Sequence, residues 1–116
     1  MKIKLALITA GFLFISLSSF AQIVNVNAIP VSDLNVQYIR VFEIAFQLGK
    51  KITAKIDYGQ KFSGRKNQFI KDEDGEIFYF NSVAHIWNVM HTNGYELREI
   101  VETEKGGVAF YILEKI

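Results

Sequence analysis

Apolar and polar residues change their spacing along this chain of 116 residues, and each spacing predicts a different element. In KITAKIDY (51–58) they alternate: Ile52, Ala54, Ile56 and Tyr58 fall on one side, Lys51, Thr53, Lys55 and Asp57 on the other. A period of two belongs to a strand with one face on the core and one in water. VQYIRVFEIAF (36–46) is dense in β-branched and aromatic residues and predicts a second strand, joined to the first through LGK. FIKDEDGEIFYF (69–80) predicts a hairpin closed on Asp74 and Gly75. From Val83 the period lengthens, and Val83, Ile86, Trp87 and Met90 make one helical stripe. Asn81 or Ser82 is placed to cap that helix and Gly94 to end it. YELREIVE (95–102) and VAFYILEKI (108–116) then predict a last hairpin across TEKGG. The expected fold is α+β: an antiparallel sheet of four to six strands with one helix packed on a face.

Two expectations about packing follow. Trp87 sits mid-stripe and is expected to anchor the core, where a large ring supplies the most buried area. VAFYIL is apolar in both phases, with Val108, Phe110 and Ile112 on one face and Ala109, Tyr111 and Leu113 on the other. Strands of this kind lie between two layers, and one helix shields only one side of a sheet. The second face is therefore expected to be covered, by the preceding segment or by another chain. That segment, QIVNVNAIPVSDLN (22–35), reads as a lead-in, at most an edge strand, because Pro30 cannot donate to a central ladder.

Residues 1–21 have a different character. Lys2 and Lys4 precede an apolar run from Leu5 to Leu17, and Ser19 and Ala21 are the small residues before Gln22. Charged start, apolar middle and small-residue end make a secretory signal peptide, cut after Ala21. The apolar run is too short for a spanning helix, which needs about 20 such residues. Export to the periplasm or the exterior is expected, with no membrane span after cleavage. The chain contains no cysteine, so neither a lipidated cysteine nor a disulfide framework is available. Residues 36–116 make one small domain, which must be held by packing alone.

No stretch carries a reaction. GQKFSGRK approaches a phosphate-binding loop, but Arg65 stands where that motif needs lysine and Lys66 where it needs serine or threonine. DEDGE (72–76) offers four acids without the remaining oxygen ligands of a calcium loop, and reads as a turn. His85 and His91 lie about 120° apart around the helix and cannot share a metal as i, i+4 ligands would. Both are expected to face solvent. No catalytic, cofactor or metal residue is assigned, and no cofactor is expected.

Charge is unevenly spread. Residues 50–71 hold seven basic side chains against Asp57, and residues 72–104 hold eight acids against Arg98. The simpler reading makes the two blocks neighbouring strands with their charges paired across the sheet. The other makes them a steering field for a charged partner. Nucleic acid suits neither export nor a formal net charge of +1.

FNSVAHIWNVMHTNGYELREIV, followed by GGVAFYILEKI, resembles a small α+β family of unknown function in which a helix runs through Gly-Trp/Tyr-Glu-Leu into a strand. Together with GKKITAKIDYGQ and DGEIFYF, it is similar to short secreted hypothetical proteins of Bacteroidetes-type bacteria. The matching positions are Asp57, Tyr58, Gly59, Phe80, Asn81, Ser82, Gly94, Tyr95 and Leu97. The resemblance implies a bacterial envelope setting and brings no catalytic residue. The expected role is a small exported interaction module, non-catalytic, with a protein partner or a second copy of itself. Tyr58, Lys61, Arg65 and Tyr111 are the candidate partner surface. The competing role is an enzyme inhibitor or small enzyme acting through the 59–68 loop.

Overall fold

The computed structural model describes residues 22–45, 51–61 and 68–116. The expected signal peptide, Arg65 and the LGK turn lie outside the described residues. β3 (Tyr38–Ala45), β4 (Ile52–Asp57), β5 (Tyr95–Glu102) and β6 (Val108–Lys115) form one antiparallel sheet in the order β4-β3-β6-β5. One helix, α1 (Val83–Thr92), packs on a face of it. This is the α+β architecture that the hydrophobic periods predict.

The covered face is built by alternation. Cross-strand pairs such as Val41–Ile56, Ile39–Leu113 and Leu97–Leu113 put apolar side chains on one side. Helix α1 covers them with Ile86, Val89 and Met90, all buried. Trp87 lies at the flank of this stripe, not at its centre. It is partly buried and edge-on to Tyr111, ring centroids 5.7 Å apart. Its indole N–H is buried without a hydrogen-bond acceptor.

The lead-in segment belongs to the same core. β1 (Asn25–Val26) and β2 (Ile29–Pro30) form a two-stranded hairpin of their own, followed by a 3-10 turn, Val31–Asp33. Val24, Val26, Val31 and Leu34 are all buried with the helix-side residues. The expectation that this segment is an edge strand, or a cover for the second face, is therefore corrected. Its valines follow the hydrophobic gradient into the core that α1 leaves incomplete, and Asn93 holds them there. Asn93 Oδ1 accepts from Val24 N at 3.2 Å, while Nδ2 donates to the carbonyls of Gln22 at 2.8 Å and Val89 at 2.7 Å. One buried amide thus joins the helix end to the start of the domain.

The 69–80 stretch is a turn with separate bridges in place of a regular hairpin. Asp72 and Glu76 close it, Gly75 adopts φ +83°, and Asp72 Oδ1 accepts from the amides of Asp74 and Glu76. Its flanks bond mainly elsewhere, Lys71 to Asn25, Ile70 to Ala54, and Phe80 to Ile52. They thereby seal the outer edge of β4, whose open amides and carbonyls outcompete the hairpin's own ladder.

Helix α1 starts at Ser82, whose Oγ accepts from His85 N at 3.1 Å, and His85 Nδ1 accepts in return from Asn81 N at 3.0 Å. The exchange resembles a capping box, with histidine accepting from the amide before the cap in place of a glutamate accepting from the cap's own amide. His85 is half-buried against Phe78 and Phe80, so its expected solvation is corrected; His91 is exposed. Gly94, at φ +92°, turns the chain out of the helix and delivers Tyr95 into the core. There the Tyr95 hydroxyl donates to the carbonyl of Val36 at 2.7 Å. Burial pushes this phenol above its ordinary range.

Candidate functional site

The polar phase of each strand meets on the other face of the sheet. The register aligns Asp57, Arg40, Ile112 and Glu99 across the four strands, and beside them Lys55, Phe42, Phe110 and Val101. Neither α1 nor the lead-in lies on this side, and the face is open towards β6 and β5, while Thr53 on β4 is fully buried. Phe42 and Phe110 pack together with centroids 5.5 Å apart. The Arg40 guanidinium lies over both rings, 5.2 and 5.0 Å from their centres. Its Nε donates to Asp57 Oδ2 at 2.8 Å. Asp57 Oδ1 in turn accepts from Gly59 N at 2.9 Å. The Gly59 amide, with the Arg40 guanidinium, holds the Asp57 carboxyl below its usual range. Arg40 is thus held in one position by an ion pair and two rings.

Next to it lies an open hollow of about 770 Å³, its lining including Tyr38, Arg40, Asp57, Tyr58, Arg98 and Ile112. Tyr38 is 56% exposed and bonds Glu114, which raises its phenol above the ordinary value. Arg98 Nε stands 3.9 Å from Glu114.

Topology decides the meaning of the charge split. β4 and β5 are the two outer strands, so Lys51 and Lys55 are not neighbours of Glu96, Glu99 and Glu102, whereas the acids of 72–76 sit on the turn whose arms bond the outer edge of β4. Three strand spacings, about 14 Å, separate β4 from β5. The expectation that charges pair across adjacent strands is corrected for the acids of β5. Lys51 and Lys55 lie along one border, each over an aromatic ring, Tyr79 at 5.9 Å and Phe69 at 4.8 Å. Glu96, Glu99 and Glu102 lie along the other.

The residues singled out from sequence are scattered. Tyr58 is half-buried, lines the hollow, and its hydroxyl accepts from Asn27 at 3.4 Å. Lys61 is exposed, and Arg65 lies outside the described residues. Tyr111 is only 3% exposed, on the helix face, with its hydroxyl donating to Glu43 at 3.1 Å. A side chain so enclosed offers no surface to a partner, and its place in the candidate surface is corrected. Arg40, Tyr38, Phe42 and Ile112 were missed. The double-phase apolarity of VAFYIL pointed to their face, but only strand register brings Arg40 between two phenylalanines.

Among the described residues, no helix is long and apolar enough to cross a membrane, and no group of histidine or acidic side chains is arranged to hold a metal ion. No family model, curated protein or solved structure matches the chain.

Proposed function

We propose that this protein is an exported, non-catalytic interaction module of the bacterial envelope or exterior, and that it binds through the open face of its sheet. The observation that carries this reading is the fixed Arg40 between Phe42 and Phe110, bordered by the hollow at Tyr38 and Ile112. An apolar centre with a tethered arginine and a charged rim is the composition of a protein-binding surface. Gly59, the first residue of the 59–68 loop, borders the same hollow beside Tyr58. Export rests on the layout of residues 1–21.

A photo-crosslinking residue in place of Ile112 tests the reading in the producing cell. A protein adduct is expected at position 112 and none from a control at Lys105, in the exposed turn between β5 and β6. Equal yields at both positions, or none at 112, would sink it.

A further inference from the structure

Three features leave one geometry for the occupant of the open face. Edge pairing is closed on both sides. The outer edge of β4 is already bonded to Ile70 and Phe80. β5 is bulged in its ladder with β6 at Leu97/Glu99 and Val101/Glu102, which bends the strand, and it carries Glu96, Arg98, Glu99 and Glu102. Bulges and charges of this kind block strand addition. The face between them has an apolar middle, made of Phe42, Ile44, Phe110, Ile112 and Val101, all only partly buried. Its borders differ in the balance of charge: Lys51 and Lys55 with Asp57 at and before β4, and Glu96, Glu99 and Glu102 with Arg98 along β5.

A uniformly charged partner would match one border and be repelled by the other. A second copy matches both. Resting on the proposed role of this face, we infer that the protein forms a two-fold dimer by packing these two sheet faces together, with the axis parallel to the strands. Rotation about that axis lays β4 of one copy over β5 of the other and β3 over β6. Phe42 then meets Phe110 of the second copy. Lys55 falls between the levels of its Glu99 and Glu102 and Lys51 beyond Glu102, and the same contacts recur on the other side, as a two-fold interface requires. Asp57 falls level with Glu99 of the second copy, a like-charge approach that the Arg40 bonded to Asp57 offsets. An axis across the strands would instead set lysines over lysines. Aligned packing of two sheets about 10 Å apart is the ordinary sandwich geometry, and the assembly would have its helices outside.

The face is small. Four strands about 4.8 Å apart and some 25 Å long span roughly 500 Å² per copy, below the roughly 800 Å² per partner of a standard interface. The dimer is therefore a concentration-dependent one, to be sought across about 1–500 μM.

Sedimentation equilibrium of the protein, purified as the producing cell leaves it, tests this. A monomer–dimer equilibrium is expected, weakened by 0.5 M salt because about 0.5 M shortens screening to a few ångströms. Lys55→Glu should weaken dimerisation about tenfold or more through like-charge contact. Adding Glu99→Lys in the same chain should restore it, since the two residues lie at opposite borders of one copy and meet only across the axis. Unchanged thermal unfolding of each variant in dilute solution separates this from misfolding. A monomer throughout the range, or a dimer indifferent to both substitutions, overturns the proposal. The crosslink at position 112 separates the two failures. An adduct with twice the chain mass agrees with the dimer. An adduct of another mass keeps the binding role and removes the dimer, and no adduct removes both.

Discussion

Leu113 and Ile112 are neighbours on β6, yet they occupy different solvents. Leu113 belongs to the core shared with residues of α1 and the lead-in and has no exposed surface. Ile112 lines the open hollow on the other face. Both faces carry aromatic and β-branched residues, but they are stabilised differently. The covered face is held by burial, with Ile39, Val41, Ile56, Phe80 and Met90 all at or near zero exposure. The open face is held by lateral contacts, Arg40 bridging Asp57 and the paired phenylalanines. The first arrangement stabilises the fold; the second keeps a surface ordered while leaving it available.

Substitutions on the two sides of β6 should therefore diverge. Leu113→Ala is expected to cost about 3–4 kcal/mol, near the upper range for a buried leucine. Ile112→Ala, measured in dilute solution, should cost about half that, because its solvent exposure changes less. Equal losses in chemical denaturation would mean that the second face is covered by something else in the same chain.

Asn93→Ala comes next, at about 2–4 kcal/mol. It strips partners from the buried Val24 amide and from the carbonyls of Gln22 and Val89, and unsatisfied buried groups cost about 1–3 kcal/mol each. The loss should be accompanied by faster hydrogen exchange in the lead-in. A loss confined to α1 would show that the lead-in is held by its valines alone.

Alkali separates the faces differently. Burial raises the phenols of both Tyr95 and Tyr111 on the helix side. Their folded values stand above the unfolded 10.0, so the unfolded chain releases these protons first. Stability is fully present below pH 10 and falls as the pH rises toward the folded values. Tyr95→Phe should flatten that decline while lowering stability at neutral pH, because the carbonyl of Val36 loses its donor. A denaturation midpoint that falls as steeply above pH 10 in the variant would place the alkaline sensitivity elsewhere.

The smallest effect is expected far from both faces. Asn27 and Ala28 take φ of +51° and +61° in the two-residue turn of the lead-in hairpin. Asparagine tolerates this region, whereas glycine is preferred at the second position. Ala28→Gly should stabilise by about 0.5–1 kcal/mol, seen as a higher unfolding temperature.

Much of the architecture was legible in local pattern. The alternation of 51–58, the capped helical stripe ending at Gly94, and the final hairpin each follow from the two or four residues that touch along one element. What the pattern left open were competitions between elements. The arms of 69–80 had two sets of partners available, their own ladder and the edge of β4, and strand order favoured the second. The lead-in valines had two faces to choose between, and the amide of Asn93 drew them to the helix side. Trp87 fell at the stripe's flank because the stripe's centre is set by the sheet beneath it, which the helix sequence does not contain.

Residue types and their periods determined by themselves that the described residues make strands, a helix at 83–92 and an excess of apolar surface, because those depend on neighbours a few positions apart. Only the tertiary structure decided that β4 and β5 lie at opposite borders. The lysines at β4 and the glutamates of β5 were thereby separated by two strands, and Arg40, distant in the chain from Phe110, was brought over its ring. Strand order is a long-range property, chosen by the total burial of the folded chain, and no local spacing records it.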